Sequence, residues 1–382
     1  MDTRERIVEL ARAAGASVVR FAPADALEET RARLTRSFER GDLATWPYDA
    51  PFAARASDPR TILAHARTVI CIAVAYATPA PNTRARGRGR GRVSNYAWSA
   101  DYHRRMRALL ATVAAEVDAL AGTSATAIAC DTAPIAERAF AERAGIGWIG
   151  KHTGIIAPGL GSYVFLGEIV TTLALAPDLP LRKSCGACRR CVDICPTGAL
   201  RGDYTIDATR CIADLTQRTD AIPRELRALV GDWVWGCDLC QEVCPPTARA
   251  PRTATTFAPF DEETGAPDLQ ALLRLRSGTF KRRYAPTAMG WRGAAVLRRN
   301  AAVALGNGLD RADVEALAAA LRDDPHASVR AHAAWALGHI GSPRALAALR
   351  DACASEVDSC VVAEISAALE PPGASPRLCS YV

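Results

Sequence analysis

The sequence lacks any uninterrupted apolar run of the roughly 20 residues that a membrane span requires. Its longest apolar stretch, Gly154 to Leu179, is broken by Pro158, several glycines and Glu168. The first residues, Met1-Asp2-Thr3-Arg4-Glu5-Arg6, carry both charge signs and lack the basic segment and apolar core of a secretory signal, so a cytoplasmic protein with no membrane partner is expected. The N-terminal half carries no nicotinamide or flavin fingerprint, since the one G-x-G-x-x-G match, Gly145 to Gly150, follows a helical pattern rather than a strand. Lysine is nearly missing: Lys151, Lys183 and Lys281 are the only three among 47 basic residues. The net charge of +6 is therefore carried by arginine, which pairs bidentately with phosphate. A nucleic-acid partner and a plain arginine and alanine bias both account for that composition.

What is present is ample core material. With 382 residues, 49% hydrophobic and 23% charged, the chain should fold as two or three domains rather than one small module or a disordered polymer. Residues 2–14 read as an amphipathic helix with Ile7, Leu10, Ala11 and Ala14 on one face, an N-cap at Asp2 or Thr3 and a stop at Gly15. A strand follows at Val18 to Ala22. The run from Val69 to Tyr76 is continuously apolar and rich in β-branched residues, as expected of a strand covered on both faces. Met106, Leu109, Leu110, Val113, Val117 and Leu120 recur at helical spacing. A short strand at Ala127 to Cys130, a helix near Ile135 to Ala144 and a strand within Tyr163 to Leu175 complete an α/β or α+β domain. Between the strand at 69–76 and the next helix, the alternating arginines and glycines of 84–92 predict a mobile basic loop, free in solvent or laid along a phosphate backbone.

Thirteen cysteines in a cytoplasmic chain argue against structural disulfides, and eight of them fall between residues 185 and 244. Cys185, Cys188 and Cys191 stand two residues apart and Cys195 three further on, followed by Pro196. This is the bacterial ferredoxin run. Downstream come Cys211 and then Cys237, Cys240 and Cys244, followed by Pro245, enough for two 4Fe–4S clusters. In two-cluster ferredoxins the last cysteine of each run ligates the other cluster. That rule assigns Cys185, Cys188, Cys191 and Cys244 to one cluster and Cys195, Cys211, Cys237 and Cys240 to the other, with each proline stopping a short helix. Zinc is the alternative for cysteine quartets, and the paired Cys-Pro runs disfavour it. Cys71, Cys130, Cys353, Cys360 and Cys379 have no ligand spacing and read as buried or incidental thiols.

Residues 250–267 look like a connecting segment. Beyond it Asn300 to Asn307 aligns with His332 to His339 at an offset of 32 residues. Each copy starts a helix after basic residues and is followed by a second helical pattern, and Val361 to Leu369 begins an incomplete third copy. Paired helices at this interval are similar to HEAT-type repeats, which usually grip a macromolecule.

Cys130 to Arg138, Ala144 to Thr153 and Gly161 to Gly167, in front of the ferredoxin run, resemble epoxyqueuosine reductases. Tyr96-Ala97, Asp101-Tyr102-His103 and Gly236 to Pro245 extend the resemblance over nearly the whole chain. It implies an α+β fold: an N-terminal α/β cobalamin-binding domain (1–180), a two-cluster ferredoxin-like domain (181–255), a connecting segment (256–290), C-terminal α-helical HEAT-like repeats (291–370) and a tail (371–382). It implies reduction of epoxyqueuosine to queuosine at the wobble position of tRNA. Two 4Fe–4S clusters and base-off cobalamin are the implied cofactors, and the implied partners are the tRNA and a low-potential electron donor to a monomer. Asp131 matches the family's proton donor. Its carboxyl is expected to be desolvated between the corrin and a covered strand, which would raise its pKa; the competing role is N-cap of the helix at 135–144. The cobalamin contacts expected are Arg55, Ser94, Tyr96, Asp131, Lys151, Ile155 and Leu166, with the glycines between Gly145 and Gly167 bringing backbone close to the flat ligand. Arg298, Arg299 and Arg330, at the starts of the repeats, are candidates for tRNA phosphates. The alternatives are a reductive dehalogenase acting on a small organic halide and a non-catalytic electron carrier docked through the repeats.

Overall fold

The computed structural model describes residues 2–44, 46–79, 88–261 and 263–370. It divides into two compact units that interleave along the chain: the first takes residues 1–79, 101–211 and 238–258, the second 80–100, 212–237 and 259–382.

The first unit is built on an antiparallel sheet of β1 (Val18–Pro23), β2 (Thr68–Ala75), β3 (Thr126–Ala129) and β4 (Val164–Thr171), in the order β1-β2-β4-β3. The register runs Val18 to Ala73, Thr68 to Thr171 and Ala129 to Glu168. Seven of the eight β2 residues are buried, which accounts for the unbroken apolar run: helices cover the sheet although its strands are antiparallel. Helix Thr3–Ala13 begins with a capping box between Asp2 and Glu5 and buries Ile7 and Ala11. Helix Tyr102–Ala121 is capped by Asp101, buries Met106, Leu109, Leu110, Val113 and Val117, and ends at the left-handed Gly122. Helices Glu28–Glu39 and Ala50–Ser57 were not anticipated; the former buries no residue fully, and its apolar face is narrow, with Leu34 and Phe38 half-buried.

The second unit carries the repeats as helices Ala294–Gly308, Val314–Asp323, Ala327–Ile340, Pro343–Cys353 and Ser359–Leu369. A Cβ on Gly306 would lie 2.8 Å from the Ala336 Cβ, and one on Gly338 2.7 Å from the Ala368 Cβ. The repeated glycine is therefore a packing notch for the following repeat. The segment expected to be connecting holds two short helices, Leu269–Leu273 and Ser277–Arg283.

The arginine and glycine stretch departs from expectation. Residues 84–87 lie outside the described residues, but Arg90 bridges Asp268, and Arg92–Val93 pair in parallel with Trp233–Trp235. Gly91 explains the order: a Cβ there would come within 2.8 Å of Leu269 and Val234 side-chain atoms. Glycine here allows a close packing rather than a free loop.

Candidate active site and cluster domain

At the end of β3 the chain turns through buried Cys130 into Asp131, whose backbone is left-handed at φ 53°. Asp131 does not cap the following helix. Helix Glu137–Arg143 has Ala136 at its N-cap with no side-chain bond, and it is the Asp131 N–H that donates to the Glu137 carboxyl. Nor is the Asp131 carboxyl covered: its side chain is 50% exposed.

Its partner is His103, in the first turn of helix Tyr102–Ala121. His103 Nε2 lies 2.8 Å from Asp131 Oδ2, and His103 Nδ1 lies 2.6 Å from Asp101 Oδ1. The hydrogen bond to Asp131 raises the His103 pKa against the opposing effect of burial, and Asp101 adds to the rise. The two carboxyl groups thus favour the protonated form of the imidazole. Tyr102 stacks on Phe165 with centroids 4.0 Å apart, which fixes the helix end that carries His103. The Tyr48 phenol is raised by burial and by the Asp131 charge, which places it on the same side.

Two further carboxyls stand behind this face. Burial raises Glu137 to about 7. Glu168, in the middle of β4, is wholly buried with no partner for either oxygen, and burial raises it far above the usual carboxylate range. Both groups bind protons more tightly folded than unfolded, so their stabilising contribution is complete below about 4.5 and is lost as pH rises through their folded values. Buried His152 and His332 act oppositely below about pH 6.5, so wild-type protein should melt at progressively lower temperature from about pH 7 to 9, and Glu168→Gln should flatten that slope; thermal melts across this range would show equal slopes if Glu168 were charged in the fold.

Of the other expected cofactor contacts, Leu166 is half-buried beside this site, its carbonyl 3.9 Å from the Cys130 Sγ. Arg55 lies in helix Ala50–Ser57 with its guanidinium 6.0 Å from the Phe52 ring. Ile155 is core, 3% exposed. Lys151 Nζ donates to the carbonyls of Gly186 (2.8 Å) and Cys188 (3.1 Å). Ser94 and Tyr96 belong to the second unit, where the Tyr96 hydroxyl accepts from Trp235 Nε1 at 2.8 Å and Ser94 packs on Gly236. The glycine-rich stretch is not an open cradle: Cβ atoms on Gly145, Gly147, Gly161 and Gly167 would meet Leu179, Ile156, Thr247 and Leu110. These glycines serve internal packing. The same stretch does leave an orphan donor. His152 is neutral, burial lowering it to about 4, and its Nδ1 accepts the Gly154 N–H, so Nε2 carries the proton, buried and without a protein partner.

In the cysteine region, Cys191 sits in helix Arg190–Ile194 and packs with helix Leu239–Glu242. Cys185 and Cys244 share one apolar cluster with Trp148, Ile156 and Leu181. The Cys191 thiol is raised by burial and then by Cys185 and Cys244, and Cys244 by burial, Cys185 and Cys188. These four thiols therefore converge although Cys244 comes from the second run. Ser162 anchors that run, its N–H donating to Thr247 Oγ1 and its Oγ to Gln241 Oε1, both at 3.0 Å. Among the described residues no group of His, Cys, Asp and Glu is close enough to hold a single metal ion; the broader spacing of a cluster, and a donor set of soft thiolates, suit iron and sulfide. Pro196 follows the end of its helix as expected, but Pro245 opens the next one, Pro245–Arg249, a favoured position for proline. Cys71 and Cys130 are buried thiols and Cys353 an exposed one. Cys360 is disulfide-bonded, against expectation, and Cys379 lies outside the described residues.

A model described as "Epoxyqueuosine reductase QueG, DUF1730" matches residues 56–132, a 4Fe-4S double cluster binding domain matches 184–247, and HEAT repeats match 292–370. An epoxyqueuosine reductase of Bacillus anthracis is 34% identical over 96% of this chain and 97% of its own length. The chain belongs to the epoxyqueuosine reductase family. The epoxyqueuosine reductase of Bacillus subtilis is 33% identical over 96% of the chain and 95% of its own. A crystal structure of a selenomethionine-labelled epoxyqueuosine reductase superposes with a TM-score of 0.90 at 32% identity, covering 96% of this chain and 98% of that one. An epoxyqueuosine reductase solved with an epoxyqueuosine-modified tRNA-Tyr stem loop gives 0.88 at 33% identity, covering 96% and 97%. The Bacillus subtilis enzyme solved with an aspartate catalytic loop swung out of the active site gives 0.87 at 32% identity, covering 96% and 98%. Family membership decides against the dehalogenase and the electron carrier.

The arginines expected to meet phosphate are engaged by groups of the protein itself. Arg298 binds Asp324 at 2.6 Å and Arg330 binds Glu356 at 2.7 Å, the same bond one repeat apart. Arg299 is 1% exposed, bonds the carbonyls of Leu215, Arg218 and Asp220, and is lowered to about 9 by burial. Arg299→Ala is expected to cost roughly 3–5 kcal/mol of stability by stranding those groups. Denaturant unfolding checks this; unchanged stability with weaker RNA binding would restore the phosphate role.

Proposed function

We propose that this protein reduces the epoxide of epoxyqueuosine in tRNA to the alkene of queuosine, with Asp131 as proton donor. The observation that carries the reading is the half-exposed Asp131 carboxyl held 2.8 Å from a His103 whose pKa is raised. Epoxide to alkene consumes two electrons and two protons and releases water. Asp131 stands at the solvent face to donate to the departing oxygen, and His103, hydrogen-bonded behind it, returns a proton to the carboxylate. Asp101 keeps the imidazole oriented throughout.

Cys185, Cys188, Cys191 and Cys244 would hold one 4Fe–4S cluster and Cys195, Cys211, Cys237 and Cys240 the other. Cobalamin would lie against Asp131 and Leu166, with Arg55, Lys151 and Ile155 as further contacts. The His152 Nε2 donor fits the amide-bearing rim of such a ligand. Bound there, these groups supply single electrons and a strong reductant for the epoxide carbon. A low-potential donor feeds the enzyme, which acts as a cytoplasmic monomer. On the RNA side, exposed Trp291 with the Arg292 guanidinium 3.7 Å from its ring offers the aromatic and arginine surface that single-stranded RNA favours.

The test is anaerobic reconstitution with iron, sulfide and cobalamin, followed by incubation of the reduced enzyme with epoxyqueuosine tRNA and mass spectrometry of the nucleosides. Queuosine is the expected product. Full cofactor loading without conversion would redirect the search to another reducible substrate.

A further inference from the structure

Asp131 is an unusual residue to carry a reaction, because a non-glycine side chain at φ 53° is strained unless its surroundings hold it there. The turn that contains it is tied by short backbone bonds, Thr132 N–H to Cys130 O at 2.7 Å and Ile135 N–H to Ala133 O at 2.8 Å. Neither of these grips Asp131 itself. The bond that does is from the Asp131 N–H to the carboxyl of Glu137, the first residue of helix Glu137–Arg143.

Glu137 is well placed to be a rigid anchor. Its helix packs on β2 and β4, and Phe140 and Ala141, one turn further on, are wholly buried. The charged and titratable groups that face it are Asp131, His103 and the exposed Arg138, with Glu168 behind. Arg138 is itself fixed, donating to the Thr153 carbonyl at 2.6 Å. Such an anchor fixes the backbone of the Asp131 turn while leaving its side chain free to meet substrate.

We propose that Glu137 is a positioning residue for the reaction: its half-buried carboxyl latches the Asp131 backbone in the left-handed conformation that aims the Asp131 side chain at His103. The inference rests on the role of Asp131 argued above. It requires acceptor reach more than charge, since the group being held is a neutral amide. Glutamine keeps that reach and loses the charge; aspartate keeps the charge and is one methylene too short.

Three full-length variants separate these properties: Glu137→Gln, Glu137→Asp and Glu137→Ala. Hydrogen exchange of the segment around Asp131, followed by mass spectrometry, is expected to be fast in Glu137→Ala and Glu137→Asp and as slow as wild type in Glu137→Gln. In the tRNA assay, kcat should fall about 100-fold in the first two, the scale of a small misplacement of a reacting group, with KM unchanged, and Glu137→Gln should recover most of it. Wild-type exchange together with a kcat within twofold of wild type in Glu137→Asp would overturn the latch. If Glu137→Ala does not fold, the aspartate and glutamine variants decide. The exchange measurement needs no substrate, so a wild-type enzyme that fails to make queuosine refutes the proposed function while the latch is still tested.

Discussion

Asp131→Asn is expected to lower queuosine formation by about 100- to 10,000-fold, the range spanned by loss of a positioned general acid. Asparagine tolerates the left-handed backbone that Asp131 adopts, and its N–H still reaches Glu137, so the turn should survive. What is lost is the carboxyl proton. A second effect follows at His103, because its bond to Asp131 is the largest cause of its raised pKa. With a neutral amide opposite, the imidazole loses its proton at lower pH, although Asp101 still supports it. The variant should therefore retain both clusters and bind cobalamin, as read by their visible spectra, while single-turnover conversion nearly vanishes. Conversion within tenfold of wild type in the fully loaded variant would assign the acid to another group.

Cys188→Ser combined with Cys244→Ser is expected to leave about half of the roughly eight iron atoms that two clusters contain, because the proposed pairing gives both thiols to one cluster. If the runs ligated their clusters in sequence, the same pair would damage both, and iron would fall toward zero. Iron analysis and low-temperature electron paramagnetic resonance of the reduced protein distinguish the two outcomes. Turnover should disappear in either case, since electrons then lack a continuous route. The local fold should loosen as well: residues 182–190 are exposed apart from Cys185, so little apolar packing holds that segment without its metal. New protease cleavage confined to this segment is the expected sign.

The cysteine spacing was legible because cluster ligation depends on side-chain type at short, fixed intervals. The repeats were legible because the same packing problem recurs: Gly306 and Gly338 meet alanines of the next helix, and Arg298 and Arg330 make one bond twice. The same arginines show where composition misled. An arginine row at a helix start looks like a phosphate-binding face, yet its partners Asp324 and Glu356 lie 26 residues downstream, and no local pattern reveals such a pairing. Glycines behaved likewise. Those between Gly145 and Gly167 mark close approach, but only the folded chain shows that the approaching group is the protein's own backbone or side chain.

His103, Glu137 and Glu168 were visible as residues but not as parts of a site. Asp101 and His103 entered only through the family resemblance, and Glu168 only as a break in the longest apolar stretch. Their roles depend on strand register and on the turn after β3, which bring residues 103, 131, 137 and 168 together. The sequence by itself determined the chemistry available: eight thiols in ferredoxin order, a helical repeat and an aspartate in a family segment, all of them properties of residue type and spacing. Only the tertiary structure decided which arginines are spent on packing and how residues 103, 131, 137 and 168 come together, because burial and hydrogen-bond partners arise between segments distant along the chain.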